Sequence, residues 1–281
     1  MTAANRATAA DKQAITKKLV ALLKKRYRVK PSPADNSVLQ TMLYAICLEN
    51  ATTSSAEAAI ERLSNSFHDF NEMRVSSISE LATAIGKLEQ PELRGLRVRN
   101  TLQYVFEKYF IFDFEALRKR TLEQAQRQLL KIKDLSAFIR GYTLQQSLGS
   151  HLVPLDDYSC RAVQWLGLVD IAETPESGAE SLKSVVRKAD APTFCLLLRS
   201  LATDAELRKI FESEVGKHDE DRFDPFEAPK RLTELFENPK KRKPSRKKAA
   251  SAKSSGTPAR KKKAASKTTR ATARRTVAKK K

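Results

Sequence analysis

Apolar residues recur at three- and four-residue intervals along most of the chain, which is the spacing of one face of an α-helix. Segments such as TKKLVALLKKRY, NSVLQTMLYAICLE and TFCLLLRSL show this spacing, and no alternating run of strand length competes with them. Helix-breaking prolines fall between the periodic segments, at Pro31, Pro33, Pro91, Pro154, Pro175 and Pro192. The pattern therefore predicts an all-α protein of about ten helices.

The helical pattern weakens near the C-terminus and suggests where the folded part ends. From Lys217 the spacing decays, although five apolar side chains could still pack on the body: Phe223, Phe226, Leu232, Leu235 and Phe236. We therefore expect three parts: an N-terminal helix and lead-in over 1–35, a helical domain over 36–238, and a tail over 239–281.

The positive charge is concentrated in that tail. Of the 53 Lys and Arg residues, 19 lie between Lys240 and Lys281, where there is no Asp or Glu, which leaves 34 basic and 33 acidic residues upstream. The tail has no aromatic residue, so we expect it to be disordered when free. It resembles the tails of linker histones, and its basic residues predict DNA as a partner through phosphate contacts, ahead of a membrane surface. The candidates for phosphate binding lie where its basic residues are most closely spaced, at Lys240, Lys241, Arg242, Lys243, Lys247, Lys248, Lys261, Lys262 and Lys263.

Other classes of protein have little support in the sequence. The first residues lack the apolar core of an export signal, and no apolar run approaches the roughly 20 residues of a membrane span. Cys47, Cys160 and Cys195 are widely spaced in apolar runs, as expected of buried reduced thiols. We therefore expect a cytoplasmic, nucleoid-associated protein with no metal and no cofactor.

Three stretches of the body carry a resemblance to a known family. SVLQTMLYAICLENATTSSAEAAIERLSNSF runs an apolar helix into a turn at residues 49–53, LATAIGKLEQPELRGLRVRNTLQYV follows it, and VPLDDYSCRA comes later. Together they resemble the endonuclease III-like, helix-hairpin-helix (HhH-GPD) DNA glycosylases. The resemblance implies a two-lobed, all-α glycosylase-like fold and a link to base-excision repair. It also implies DNA-binding roles for Arg97 and Arg99 and, near the hairpin, for Lys133.

The resemblance implies a catalytic position for one carboxylate. Asp156 falls on the aspartate of the family motif, and Arg161 lies five residues on, as the family's arginine does. The pattern alone favours a helix N-cap at Asp156. Asp157 is an alternative catalytic carboxylate, because some family members use the second of a paired Asp-Asp. The aromatic residues nearest in sequence that could stack on a flipped base are Phe138, Tyr142, Tyr158 and Trp165.

The chain also departs from the family pattern. Counting back from Asp156 puts Phe138 at the position of the catalytic lysine, so AP-lyase chemistry through a Schiff base is not expected. The glycine-rich hairpin is replaced by residues 133–136, and Asp134 reads as a helix N-cap that would repel a phosphate. No cysteine follows Cys195, which excludes the family's C-terminal iron–sulfur site.

Two main functions remain open from the sequence. One is a DNA-binding protein on the glycosylase fold with reduced or lost catalysis. The other is an active monofunctional DNA glycosylase that uses Asp156. A weaker third possibility is an architectural nucleoid protein. Because Asp156 fits both a catalytic role and a cap, the sequence does not decide whether the chain is an enzyme.

Overall fold

The computed structural model describes residues 7–29, 36–216 and 223–237. Within them the secondary structure is helical with no strand, which confirms the predicted all-α class. The α-helices are, in order, α1 Ala9–Arg26, α2 Val38–Leu48, α3 Thr53–Ser66, α4 Phe70–Val75, α5 Ile78–Ile85, α6 Pro91–Tyr109, α7 Leu122–Leu129, α8 Ala137–Leu148, α9 Asp157–Trp165, α10 Pro175–Lys183, α11 Ala191–Ala202, α12 Arg208–Val215 and α13 Ala228–Glu237. A short 3₁₀ helix, Glu115–Lys119, precedes α7.

Local sequence signals set most helix starts. Capping boxes, in which the N-cap side chain and the third helical residue satisfy each other's backbone amides, begin α1, α2, α5 and α7. Pro91 and Pro175 are the first residues of α6 and α10 rather than breaks between helices. Proline is tolerated there because the first helical N–H has no partner inside the helix.

The helices form two lobes, each with its own apolar core. The first lobe contains α2–α8, and its core runs from Val38 to Leu152. The second lobe contains α9–α13 together with α1, whose Ile15, Leu19 and Leu23 are buried with Trp165. The described chain therefore begins in the second lobe, continues through the first lobe, and re-enters the second lobe at Val153.

Some details differ from the sequence expectations. The periodic pattern does not reveal α4, which has only six residues and one buried side chain, Met73. Leu232 and Leu235 are buried as predicted, whereas Phe226 is 47% exposed. The N-terminal helix is more than a lead-in to the domain, because it packs within the second lobe. The predicted tail, including Lys240 to Lys281, lies outside the described residues.

The three cysteines are separate free thiols and are all buried, as predicted. Burial raises the pKa of the Cys195 thiol to about 11, so it is a thiol at neutral pH. Among the helices that the structure describes, none is long and apolar enough to cross a membrane.

Candidate functional site between the lobes

Asp156 lies at the junction of the two lobes and caps α9. Its Oδ1 accepts a hydrogen bond from the Ser159 amide at 2.9 Å, which is the expected N-cap contact. Its Oδ2 accepts from the Asn50 amide at 2.9 Å, across the boundary from the first lobe. The side chain is only 1% exposed. The carboxylate therefore joins the α2–α3 turn to the start of α9.

Arg199 of α11 is the cation that pairs with this carboxylate. Its Nη1 lies 2.6 Å from Asp156 Oδ2, and both side chains are buried. Its Nη2 donates to the carbonyl oxygens of Leu48 at 2.5 Å and Ala51 at 2.8 Å, where α2 ends. One guanidinium thus satisfies both the buried carboxylate and backbone carbonyls at the end of a helix.

The charge state of Asp156 follows from these contacts. Burial acts to raise the pKa of Asp156, but Arg199 and the hydrogen bonds from Ser159 and Asn50 outweigh it and hold the pKa below its usual range. The carboxylate is therefore ionised at neutral pH, with three protein donors on its two oxygens.

Phe138, at the position where the resemblance implies a lysine, is part of the same cluster. It is 2% exposed on α8, and the Arg199 guanidinium carbon lies 5.0 Å from its ring centroid. Its ring also lies 5.9 Å from that of Tyr142. The structure therefore brings Phe138 and Asp156 together around one buried arginine, and no nucleophilic side chain occupies position 138.

Asp157 and Arg161 lie outside this buried cluster. Asp157 is exposed and accepts a hydrogen bond from the Asn50 side-chain amide at 3.0 Å. Asn50 thus contacts both neighbouring carboxylates, with a left-handed backbone at φ 50°. Arg161 is also exposed, and within the described ranges it has neither an ion pair nor a hydrogen bond. The sequence placed Arg161 beside the site, but Arg199 is the partner of Asp156.

The altered hairpin lies between α7 and α8. Asp134 has a left-handed backbone at φ 65°, a conformation that favours glycine. The predicted N-cap role of Asp134 is wrong, because Ser136 caps α8 and accepts from the Ile139 amide. A residue in the left-handed region lies in the turn itself, two residues too early to reach the helix amides. Its carboxylate instead accepts from the Asn100 side chain at 2.8 Å.

Arg97 ties this hairpin to the α2–α3 turn. Its Nε donates to the Asp134 carbonyl at 2.8 Å, and its guanidinium forms an ion pair with Glu49. The remaining candidates, Arg99 and Lys133, form no hydrogen bond or ion pair with other described residues. Arg97 is thus held by the Glu49 carboxylate and by the Asp134 backbone, while the Asp134 carboxylate is bound by Asn100.

A cleft of about 780 Å³ lies between the lobes. Tyr44, Tyr142 and Glu57 of the first lobe line one side, and Arg199 and Ser200 of the second lobe line the other. Asp156 and Phe138 are not among its lining residues. Of the four aromatic candidates, only Tyr142 lines the cleft.

The other aromatic candidates have structural contacts. Trp165 is fully buried in the second lobe and donates to Glu214 at 2.6 Å. The Tyr158 hydroxyl donates to the Glu89 carboxylate at 2.6 Å. Tyr158 thereby links the second lobe to the loop that precedes α6.

Reasoning from the sequence missed two features. Arg199 was not singled out, although a lone arginine within the apolar run TFCLLLRSL signals a buried charge in need of a partner. The basic character of α1 was also missed, because the tail dominated the charge count. From Lys12 to Ala34 the chain has eight basic residues and no acidic one.

Comparison with known proteins supports the fold. An endonuclease III trapped as a covalent intermediate with DNA has 10% identity and a TM-score of 0.55, over 69% of this chain and 86% of that chain. An endonuclease III in a non-covalent complex with DNA has 11% identity and a TM-score of 0.55 over the same shares, 69% and 86%. The 3-methyladenine DNA glycosylase MagIII of H. pylori, bound to 1,N6-ethenoadenine, has 16% identity and a TM-score of 0.50, over 66% of this chain and 94% of that chain.

No family model and no curated sequence matches the chain. At these identities the likeness concerns the fold, and the predicted two-lobed, glycosylase-like architecture is confirmed.

Proposed function

We propose that this chain is a DNA-binding protein on the helix-hairpin-helix glycosylase fold, linked to base-excision repair, in which catalysis at Asp156 is lost. The observation that carries the proposal is the buried pair of Asp156 with Arg199, at 2.6 Å. The fold and the basic tail support DNA as the ligand, and the tail makes phosphate contacts that carry no sequence preference. In the cell the chain is then associated with the nucleoid.

The electrostatics of the pair oppose glycosylase chemistry. Loss of a base leaves positive charge on the sugar, and a carboxylate assists only if its negative potential reaches that charge. A guanidinium in direct contact cancels much of this potential, and the surrounding burial keeps the sugar away from the carboxylate. Phe138 offers no nucleophile for the alternative route through a Schiff base.

The hairpin supports the same conclusion. In the family that the chain resembles, glycine amides of the hairpin approach a DNA phosphate. Here the Asp134 carboxylate lies at that turn and accepts a hydrogen bond from Asn100. Arg97, a predicted phosphate ligand, is already paired with Glu49. Phosphate binding therefore falls to basic residues away from the hairpin turn, among them Arg99 and Arg161.

One observation favours the second candidate function, an active monofunctional glycosylase. The cleft of about 780 Å³ is large enough for a nucleobase, and Tyr44 and Tyr142 provide aromatic surface in it. In that case Asp156 would have to be released from Arg199 when DNA binds.

A base-release assay separates the two functions. Short duplexes containing uracil, a G·T mismatch, 1,N6-ethenoadenine or an alkylated purine are incubated with the intact chain and with Asp156→Asn. Alkali then reveals abasic sites, and an active glycosylase serves as the positive control. We expect binding of the duplexes without base release by either chain. Base release that disappears in Asp156→Asn would establish the monofunctional enzyme instead.

A second comparison tests the role of the tail. A chain that ends at Pro239 lacks all 19 basic residues of the tail. We expect its affinity for an undamaged duplex to fall steeply at about 0.15 M salt, because most counterion release is lost. Equal affinity of the two chains would show that the tail is not the main phosphate-binding element.

A further inference from the structure

The outward face of α1 carries only basic and small side chains. At about 100° per residue, Lys17, Lys18, Lys24 and Lys25 fall within one arc of the helix. Ala14 and Ala21 lie between them, and all six residues are exposed. The opposite face contains the residues that pack into the second lobe, namely Ile15, Thr16, Leu19 and Leu23.

These four lysines have no ion-pair partner in the described parts of the chain. This distinguishes them from the basic residues elsewhere on α1, since Lys12 donates to the Leu168 carbonyl and Arg26 pairs with Asp204. Of the acidic residues near it, Asp11 in the first turn of α1 accepts hydrogen bonds from Thr8, and Asp190 shares a small cavity with Lys17 and Arg187. The face is therefore a surface of unpaired positive charge.

The charge of the folded part is segregated toward this face. Residues 7–29 contain seven basic and one acidic residue, whereas 36–216 and 223–237 together contain 23 basic and 28 acidic residues. The net charge of the described residues is close to zero because a basic helix α1 offsets an acidic remainder. Such a distribution attracts a polyanion to one side and repels it from the rest.

Helix α13, which precedes the basic tail in the sequence, packs against the end of α1. Phe236 in α13 lies with its ring centroid 6.2 Å from that of Tyr27, and the Arg26 guanidinium lies 4.7 Å from the Phe236 ring. From Glu237 only three residues lead to Lys240, which is a reach of about 11 Å for an extended chain. Along the chain, the basic run Lys240 to Lys243 follows α13 after only two residues.

We propose that the outward face of α1 binds the phosphate backbone of duplex DNA. The two lysine pairs are separated by two helical turns, about 10 Å, which lets them contact different phosphates of the backbone. Ala14 and Ala21 leave room for the backbone to approach the helix. The face has no large apolar side chain that could insert into a membrane, which favours nucleic acid over a lipid surface.

The inference rests on the proposed DNA binding and is tested on the full chain. The salt dependence of duplex binding is measured for the natural chain and for a variant with Lys17, Lys18, Lys24 and Lys25 replaced by Gln. We expect the slope of log K against log salt to decrease by about 3 to 4, since each lost phosphate contact removes about 0.9. Four exposed lysines elsewhere, Lys87, Lys108, Lys119 and Lys209, provide a control with the same change in net charge.

The possible results distinguish failure of the proposed DNA binding from failure of the proposed role of α1. A full chain that does not bind duplex overturns both the proposed function and this inference. Binding with the same slope in the α1 variant as in the natural chain overturns this inference alone, as does an equal decrease in the control variant. Binding to phosphatidylserine vesicles that is lost in the α1 variant, while duplex binding is unchanged, would assign the face to membranes and overturn it too.

A second readout does not depend on how the variant folds. Lysine acetylation of the natural chain is compared with and without duplex, and each lysine is followed by mass spectrometry. We expect duplex to protect Lys17, Lys18, Lys24 and Lys25 while Lys119 and Lys209 remain reactive. Unchanged reactivity of the four α1 lysines in the DNA complex would overturn the inference.

Discussion

The site between the lobes and the outward face of α1 use positive charge in opposite ways. Arg199 is buried, bound to Asp156 and to two carbonyl oxygens. Lys24 and Lys25 are exposed and have no ion-pair partner in the described residues. The buried pair satisfies both Asp156 oxygens within the protein, whereas an unpaired surface cation releases counterions when it meets a phosphate. Under the proposed function, DNA contacts the exposed lysines of α1 and not the position that the resemblance implies.

The largest difference between the regions should appear in stability. We expect Arg199→Met to lower the free energy of unfolding by about 3–5 kcal/mol, because it leaves the buried Asp156 carboxylate without its counter-charge. The matched change on the other region, Lys24→Met, should stay within about 0.5 kcal/mol. Urea denaturation at neutral pH measures both.

The double variant Asp156→Asn with Arg199→Met sharpens this result. Removing both charges should cost less than the sum of the two single changes, because neither partner is left unpaired. Additive effects would mean that the two side chains stabilise the fold independently, and that the ion pair itself does not contribute.

A smaller effect is expected for Asp156→Asn alone, and it should depend on pH. We expect a loss of about 1–3 kcal/mol at neutral pH, since the amide still accepts a hydrogen bond but no longer balances Arg199. The folded-state pKa of Asp156 is lowered, so its contribution is complete above the unfolded value of about 3.9 and is lost as pH falls through the folded value.

The difference in stability between the natural chain and Asp156→Asn should therefore be constant between about pH 5 and 8 and shrink below about pH 4. Thermal unfolding across this range checks it. A difference that instead grows as the pH falls would require a raised pKa, and a carboxyl group held neutral would be a candidate general acid.

The smallest effect is expected at the hairpin. Asp134→Asn removes the carboxylate but keeps a side chain that tolerates the left-handed backbone. If the hairpin does not contact phosphate, duplex affinity should change less than about two-fold, because no charge contact with DNA is altered. Asp134→Gly is the companion variant, because it restores the residue type of the family motif. A marked gain in affinity from both changes would place DNA at the hairpin.

The sequence predicted the helices well because their signals are local. The three- and four-residue spacing marks which face of each helix is buried, and the residue types at the caps mark the starts. Asp156 is the N-cap that its position before an amphipathic segment suggested. Asp134 failed as a predicted cap, because residue type alone did not reveal that its backbone is left-handed.

Long-range partners could not be predicted in the same way. Arg199 lies 43 positions from Asp156 and meets it only because α11 packs beside α9. Periodicity shows that α1 has a buried face but not which lobe covers it. The basic face could have been found by counting charge helix by helix, because residues 12–34 lack any acid.

Hydrogen exchange of the full chain with and without an undamaged duplex tests the central claim most directly, since it follows both regions in one experiment. The account predicts slower exchange in α1 on DNA binding and unchanged exchange at residues 49–53 and 130–136. Protection of the hairpin and the α2–α3 turn, with α1 unchanged, would contradict it and return DNA to the position that the resemblance implies.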